Sequence, residues 1–347
     1  MSFFKKNILM KIFLCAFTAG FYLFTDVSAF DGKIEVPHAL KTGDTICVLE
    51  LAGTSEHKAD VFEKRLPEVV KTLENRGFKT KICKESFLAT ELGLGDGTEE
   101  IRAKCFNDAV NDPEIKAIFA FWGGYGAMQT LDKLDYKAFR KNRKIFVGFS
   151  DETAVELAIY QKAGVVTFHG PMVGASLNWK EEKCFNNLFD ILMHPREETE
   201  LRNIDDDSSF KKFKEAQCDC EAQVIGGNLC LIQNLIGTPY QPNFEGKILF
   251  FEEVGEPAYK IHRTLLHLKL TGQLDKLAGI MVGTITPVKD ETEERLYKVW
   301  SDILKDLNIP IIYNVHAGHI NNPLTLPIGS TIKIQGDKIT IKGSVVC

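Results

Sequence analysis

The fold is decided by the stretch Lys144-Ile145-Phe146-Val147-Gly148-Phe149-Ser150-Asp151-Glu152-Thr153, in which an apolar strand meets a sharp turn and then a helix. This pattern is typical of a nucleophile elbow, where a serine is exposed at the carboxyl end of a central strand and the next helix presents its N-H groups to an oxyanion. The motif lacks the second glycine of the usual hydrolase elbow. A serine in this position is more often a helix N-cap than a nucleophile, so both interpretations of Ser150 stay open at this point.

Apolar runs alternate with helical patterns on both sides of this stretch. The predicted strands are 45–51, 78–83, 115–121, 144–149 and 165–168, and the predicted helices lie at about 60–75, 99–110, just after Gly126, and 152–163. Continuous apolar strands separated by helices favour a parallel sheet covered on both faces. The sequence therefore predicts an N-terminal α/β domain over residues 30–178 that carries the candidate nucleophile.

A second, smaller α/β domain is predicted over residues 223–347. Its predicted strands lie near 248–252, 278–285 and 309–313, its helices near 228–236, 259–270 and 291–307, and a terminal hairpin at 331–334 and 338–341 turns through Gln335-Gly336-Asp337. The charged segment 179–222 between the two domains is predicted to be a solvated linker. Its three aspartates at 205–207 lack the alternating spacing, glycine and closing glutamate of a calcium loop.

The length and charge of the chain set limits on its partners. The 347 residues carry 42 basic and 47 acidic side chains, a formal net charge of -5, and are 44% hydrophobic. This composition is typical of a soluble protein of about two domains, and the slight acidic excess gives no reason to expect a nucleic-acid partner.

The first 29 residues have the pattern of a secretory signal peptide. Three lysines, Lys5, Lys6 and Lys11, precede an apolar run over 12–24, and Val27-Ser28-Ala29 offers small residues for cleavage after Ala29. The run is shorter than the roughly 20 residues of a spanning helix, so an uncleaved N-terminal membrane anchor is the alternative. We therefore expect an exported or periplasmic protein with no stable membrane span after cleavage.

Eight cysteines follow the predicted leader, an even number that permits disulfides without revealing their pairing. Cys47, Cys83 and Cys105 lie in apolar or amphipathic segments and are predicted to be buried thiols. Cys218-Asp219-Cys220 lacks the spacing and the second pair of a zinc site, so no metal is expected.

Two further segments place chemically useful groups at predicted strand ends. Gly123-Gly124-Tyr125-Gly126 follows the strand at 115–121, and its glycines allow backbone to approach a ligand, although a plain tight turn fits equally well. The strand at 248–252 ends in Glu252, which could orient a histidine, whereas Glu253 and Glu256 are better interpreted as an acidic helix start. Of the two histidines after the strand at 309–313, the better base candidate is His319, with a solvated loop histidine as the alternative.

The chain resembles the LD-carboxypeptidases, a family of serine peptidases that includes murein tetrapeptide carboxypeptidase and the microcin C immunity hydrolases. The resemblance extends from about residue 45 to residue 334 and rests on cues that occur in the order of the family. They are Gly123-Gly124-Tyr125-Gly126, Val147-Gly148-Phe149-Ser150-Asp151, Thr167-Phe168-His169-Gly170-Pro171-Met172, Gly226-Gly227-Asn228-Leu229, Gly237-Thr238-Pro239, Phe251-Glu252-Glu253-Val254-Gly255-Glu256-Pro257 and Gly318-His319.

The resemblance implies a catalytic triad of Ser150 as nucleophile, His319 as base and Glu252 as the acid that orients it. The N-H groups of Gly124 and Asp151 would form the oxyanion hole. The triad would then assemble at the interface of the two domains. The implied reaction releases terminal D-alanine from a murein tetrapeptide, without metal or cofactor, and the implied assembly is a homodimer.

The resemblance also implies a role in substrate binding for Tyr125, His169 and Arg263, the last as the cation that receives the free carboxylate of D-alanine. The chain departs from the family at two places. Trp122 stands where Arg is often found before the glycine loop, and His262 stands in Tyr259-Lys260-Ile261-His262-Arg263 where Asp is usual. These departures bear on substrate preference more than on catalysis.

Two other functions remain open at this stage. A member of the same family could hydrolyse an amide of a peptidyl-nucleotide antibiotic. A protein of another class, a non-catalytic periplasmic protein, could bind murein fragments in the cleft between its domains. A binding protein needs neither a reactive serine nor a histidine base.

Overall fold

The computed structural model of the protein describes residues 30, 32–52, 61–88, 98–174, 182–205, 208–214 and 218–347. The predicted signal peptide, residues 1–29, lies outside the described residues. Within these ranges, the helices are too short or too polar to cross a membrane.

The described chain forms two sheets flanked by helices. The strands are β1 Thr45–Leu49, β2 Lys79–Ile82, β3 Ile115–Ala120, β4 Ile145–Gly148, β5 Thr167–His169, β6 Glu198–Glu200, β7 Lys211–Lys212, β8 Cys220–Asn228, β9 Ile248–Val254, β10 Gly279–Thr286, β11 Ile311–Tyr313, β12 Leu326–Ile328, β13 Thr331–Gln335 and β14 Lys338–Lys342. The α-helices are α1 Leu66–Asn75, α2 Thr98–Asn111, α3 Tyr136–Asn142, α4 Thr153–Ala163, α5 Glu182–Met193, α6 Leu229–Leu235, α7 Ala258–Leu270 and α8 Glu293–Leu304. Short 3₁₀ or π turns cover Val61–Arg65, Lys84–Leu88, Ala127–Lys133, Ser150–Glu152 and Leu274–Lys276.

The first sheet has the strand order β12-β5-β4-β3-β1-β2. Strands β1 to β5 pair in parallel, as the apolar runs predicted, and β4 lies centrally between β3 and β5. All four residues of β4 are buried, because helices cover both faces of the sheet. The edge strand next to β5 is β12, which comes from the C-terminal part of the chain and pairs antiparallel with β5.

The second sheet has the order β6-β14-β13-β8-β9-β10-β11-β7. Its centre, β8 to β11, is parallel, and antiparallel strands lie on both sides. The predicted hairpin is confirmed as β13 and β14, with Gln335 paired to Lys338 and only two residues in the turn. Gly336 takes a φ of 63°, which suits a tight turn of this kind. The predicted α/β architecture of two blocks is confirmed.

The predicted solvated linker over 179–222 is wrong for its described part. Helix α5 occupies Glu182–Met193 and buries one face, on which Leu188 is fully covered and Phe189 stacks on Phe78 with 5.0 Å between ring centroids. Strands β6 and β7 also lie in this segment, and β8 begins at Cys220. Apolar residues recur at helical spacing among the charged residues of this segment, and they form the buried face of α5.

The cysteine prediction is right at one position and wrong at two. Cys47 is a buried thiol in β1, and burial raises its pKa to about 12. Cys83 and Cys105 instead form a disulfide, with their Cα atoms 6.0 Å apart. The bond joins the end of β2 to α2.

Helix α4 connects the two sheets. Ten of its eleven residues are buried, including polar ones such as Gln161 and Glu156. At its start, Thr153 Oγ1 accepts a 2.9 Å hydrogen bond from the backbone N-H of Asn228, at the end of β8. A helix that is covered on all sides fixes the carboxyl ends of the two sheets relative to each other.

Candidate active site

Ser150 lies two residues after the end of β4, in a strained turn. Its φ is 63°, a left-handed value that a non-glycine residue seldom adopts. The turn requires Gly148, since a Cβ at this position would lie 2.7 Å from the Cβ of Glu152. The structure therefore has the strand, turn and helix that the sequence predicted, and it holds the serine in the strained conformation that nucleophile elbows use.

The structure brings Ser150, His319 and Glu252 together between the two sheets. Ser150 Oγ lies 3.0 Å from Nε2 of His319, and Nδ1 of His319 lies 2.7 Å from Oε2 of Glu252. Glu252 is fully buried, whereas the His319 side chain is 20% exposed. A proton on Nδ1 would be donated to the carboxylate, which leaves Nε2 to accept the proton of the serine hydroxyl.

Several contacts orient the imidazole of His319. Phe149 packs against it with 4.2 Å between ring centroids. The hydroxyl of Thr286 donates a 3.1 Å hydrogen bond to the backbone carbonyl of His319. Gly318 has a φ of 121°, and a Cβ on it would lie 2.7 Å from Oε2 of Glu252. Only glycine therefore lets the histidine loop pass this close to the carboxylate.

Asn228 supports Glu252 and was not among the predicted site residues. Its side-chain amide donates to Oε1 of Glu252 at 3.3 Å and to Oε1 of Glu253 at 2.8 Å. Its own Oδ1 accepts from the N-H of Leu231 and so caps α6. The sequence signal for this residue was the Gly226-Gly227-Asn228 cue before an apolar helix. Burial raises the pKa of Glu253, which is 4% exposed.

The glycine loop lies beside the serine. A Cβ on Gly123 would lie 2.9 Å from the Cβ of Ser150, so a larger residue there would displace the nucleophile. Gly124 and Gly126 take left-handed φ values of 113° and 111°. Oδ2 of Asp151 accepts a 2.8 Å hydrogen bond from the N-H of Ala127, the residue that follows the loop. The two predicted oxyanion-hole segments, around Gly124 and Asp151, are therefore adjacent.

The three predicted substrate-binding residues lie in different environments. Tyr125 is 52% exposed at the tip of the glycine loop, where a ligand could reach it. His169 is 1% exposed, and its Nδ1 lies 2.9 Å from Oε2 of Glu156. Direct contact between His169 and a substrate is not compatible with this burial. The guanidinium of Arg263, an exposed residue of α7, stacks at 5.2 Å over the ring of Tyr259.

One group of metal-ligating residue types is found in the part of the chain that the structure describes. It consists of Cys83, Glu85 and Cys105. Its two sulfur atoms are joined in the disulfide, so they are not thiolates that could bind a metal.

The fold and the site define a two-sheet α/β protein with the Ser-His-Glu geometry that serine hydrolases use. Models of the LD-carboxypeptidase N-terminal and C-terminal domains match residues 48–170 and 221–334. The "Probable murein peptide carboxypeptidase" of Bacillus subtilis (strain 168) is 31% identical over 302 residues, which are 85% of this chain and 89% of that protein. The chain belongs to the LD-carboxypeptidase family, as its motifs indicated, and membership supports peptidase activity.

Solved structures show the same fold. The muramoyltetrapeptide carboxypeptidase from Oxalobacter formigenes superposes with a TM-score of 0.74 and 25% identity, over 87% of this chain and 100% of that one. A mutant of the microcin C7 self-immunity protein MccF in complex with adenosine monophosphate superposes with a TM-score of 0.79 and 25% identity, over 90% of this chain and 100% of that one. The family thus contains both murein peptide carboxypeptidases and MccF-like hydrolases.

Proposed function

We propose that the protein is a serine LD-carboxypeptidase that releases terminal D-alanine from murein tetrapeptides. The observation that carries this proposal is the continuous hydrogen-bonded path from Ser150 Oγ through His319 to the buried Glu252, with separations of 3.0 and 2.7 Å. A buried carboxylate, an oriented imidazole and a serine in a strained turn are the three parts that nucleophilic acyl transfer requires.

The mechanism follows from these positions. His319 removes the Ser150 proton at Nε2, and the alkoxide attacks the carbonyl carbon of the scissile peptide bond. Glu252 stabilises the imidazolium that forms, while the N-H groups of Gly124 and Asp151 bind the oxyanion. His319 then protonates the leaving amine, D-alanine departs, and water hydrolyses the acyl-enzyme with the same groups acting in reverse.

The proposed substrate is a murein tetrapeptide, cut between the L-centre of its diamino acid and D-alanine. Murein peptides appear in the name of the Bacillus subtilis relative, and a muramoyltetrapeptide carboxypeptidase shares the fold. Tyr125, exposed in the glycine loop whose Gly123 packs against Ser150, is proposed to contact the peptide. We propose that Arg263 binds the terminal carboxylate of D-alanine. The ground is that Arg263 lies on α7, the helix that follows β9, and β9 carries Glu252.

The test is the release of free D-alanine from purified murein tetrapeptide by the protein without its first 29 residues. We expect release by the wild type and a loss of at least about 10⁴-fold in Ser150→Ala. Tetrapeptide that binds without being cleaved would overturn the proposal in favour of a binding protein. Cleavage of a peptidyl-nucleotide amide, with the tetrapeptide untouched, would assign the same site to the other branch of the family.

We also propose that the protein is exported and acts in the periplasm, because of the leader pattern over 1–29. N-terminal sequencing of the protein recovered from a periplasmic fraction should begin at Phe30. Recovery in the membrane fraction with an intact N-terminus would instead indicate an anchor.

A homodimer is proposed from the family resemblance. Light scattering of the purified protein should give twice the mass of one chain. A single-chain mass across the micromolar range would contradict the dimer.

A further inference from the structure

Asp151 connects the two segments proposed to bind the oxyanion. Its backbone follows the nucleophile, and its side chain, 6% exposed, turns toward the glycine loop. There Oδ2 accepts the 2.8 Å hydrogen bond from the N-H of Ala127, and the N-H of Gly126 also favours the charged carboxylate. Gly126 ends the loop that contains Gly124, and Ala127 follows it. One carboxylate therefore connects the nucleophile turn to the end of that loop.

The groups that face Asp151 form a buried polar layer under the turn. Arg102, on α2, is 0% exposed and attracts the carboxylate electrostatically. Its Nη2 donates 2.8 Å to Oε1 of Gln129, and a Cβ on Gly126 would lie 2.9 Å from its Nη1. Glu152, also fully buried, repels Asp151 and accepts a 3.0 Å hydrogen bond from the N-H of Ala52.

The buried side chain of Asp151 interacts with backbone donors of another segment, whereas an exposed N-cap side chain binds only the start of its own helix. Burying a carboxylate is unfavourable unless specific donors compensate, and here the donors belong to the glycine loop. The charged form of Asp151 therefore holds the loop more tightly than the neutral form. An oxyanion hole depends on donors fixed to within a fraction of an ångström. A looser contact between Asp151 and the loop should therefore lower the rate of acyl transfer.

We infer that Asp151 is a positioning residue whose ionised side chain holds the Gly123–Gly126 loop in register with Ser150, so that the acyl-transfer activity of the site weakens when this carboxylate is protonated. The inference rests on the proposed serine hydrolase function. Burial raises the pKa of Asp151 to about 6, which places the change in a range where an exported protein can experience it.

The experiment compares wild type with Asp151→Asn, which keeps the size of the side chain and removes its charge. Two readouts are used across pH 5 to 8: kcat for D-alanine release, and the rate at which a fluorophosphonate probe labels Ser150. The labelling rate requires the reactive serine and the oxyanion hole but not the correct peptide. Asp135→Asn is the matched control, because Asp135 also accepts a backbone hydrogen bond, from Ala138 at 2.9 Å, at an exposed helix start outside the site.

At pH 8 we expect Asp151→Asn to lower kcat and the labelling rate about 10- to 100-fold with KM changed less than about threefold, whereas Asp135→Asn changes neither. The ratio of wild type to Asp151→Asn should approach one as the pH falls from 8 to 5, because protonation makes the wild type resemble the variant. A ratio that stays constant with pH would show a merely structural role and overturn the inference.

The design separates this inference from the proposed function. A wild type that is labelled at Ser150 but releases no D-alanine would contradict the proposed substrate, and the labelling rates would still decide the role of Asp151. A wild type that the probe does not label would contradict the nucleophile and the positioning role together. If Asp151→Asn labels as fast as wild type at pH 8, the positioning role is wrong.

Discussion

A hydrogen bond between Thr153 and Asn228 joins the two halves of the site behind the triad. The backbone N-H of Asn228 donates to Thr153 Oγ1 at 2.9 Å, and both atoms are buried. Thr153 begins the helix after the nucleophile, whereas Asn228 supports Glu252 with its side chain. This contact touches neither Ser150 nor His319, yet it links the helix after the nucleophile to the residue that supports Glu252.

Thr153→Val should weaken both stability and activity. The substitution keeps the shape of the side chain and leaves the N-H of Asn228 buried without its acceptor, at a cost of about 1–3 kcal/mol in the free energy of unfolding. We expect kcat to fall about tenfold, because Glu252 and His319 shift relative to Ser150. Urea denaturation and D-alanine release measure the two effects.

The control for this change is Thr271→Val. Thr271 is the exposed residue that follows α7, and its hydroxyl donates a 2.9 Å hydrogen bond to the backbone carbonyl of His267. Its substitution should leave kcat unchanged. Equal kcat values for the two variants would show that the Thr153 contact does not set the geometry of the triad.

Gly318→Ala should lower the activity strongly, although Gly318 is not a residue of the triad. The added methyl group would lie 2.7 Å from Oε2 of Glu252, and a φ of 121° is unfavourable for alanine. Either the carboxylate or the histidine loop must move, so we expect kcat to fall by about 100-fold or more while the substrate still binds. Gly336→Ala is the matched control, since Gly336 also has a positive φ, 63°, but nothing lies within 4 Å of its Cβ position. A Gly318→Ala enzyme with normal kcat would contradict the proposed role of Glu252.

The local parts of the site were predictable because each lies at the end of its own apolar strand. Ser150 follows β4, Glu252 lies in β9, and His319 follows β11, and the carboxyl ends of parallel strands face the same side of a sheet. The supporting residues were not predictable in this way. Asn228 contacts Glu252 because β8 pairs in parallel with β9, with these two residues as register partners, and no local pattern reveals which strands are neighbours.

Other elements also depended on distant contacts. Strand β12 pairs antiparallel with β5 at the edge of the first sheet, although it follows most strands of the second sheet in the chain. The apolar residues of α5 lie among charged residues that are typical of a solvated linker. Packing on residues of the first sheet, such as Phe189 of α5 on Phe119, shows that the helix is part of the core. The deciding information in both cases is tertiary packing rather than local propensity.

The disulfide between Cys83 and Cys105 should stabilise the protein measurably. It closes a loop with a sequence separation of 22 residues, for which the entropy lost by the unfolded chain corresponds to about 3 kcal/mol. We expect the Cys83→Ser/Cys105→Ser double variant to lose about this much free energy of unfolding relative to the oxidised wild type. Cys218→Ser, which changes an exposed free thiol, should lose almost none. A wild type whose stability is the same with and without reductant would contradict the bond.

Asp151→Asn should make the protein more stable at neutral pH although it lowers activity. Burial raises the pKa of this carboxyl from its ordinary value of 3.8 to about 6, so folding favours its neutral form. The stability that the group contributes is therefore full below about pH 3.8 and is lost as the pH rises through about 6. At about 1.4 kcal/mol for each pKa unit, the ionised group destabilises the folded state by up to about 3 kcal/mol at pH 8.

An asparagine at position 151 cannot ionise and so avoids this loss. Its Oδ1 can still accept from Ala127, and we expect the free energy of unfolding at pH 8 to rise by about 1–3 kcal/mol relative to wild type. The gain should shrink steadily between pH 7 and pH 4. Urea titrations at pH 8, 6 and 4.5 measure it, with Asp135→Asn for comparison. A variant that is less stable than wild type at pH 8 would show that the charged carboxylate is stabilised by Arg102 and the loop N-H groups beyond the cost of its burial.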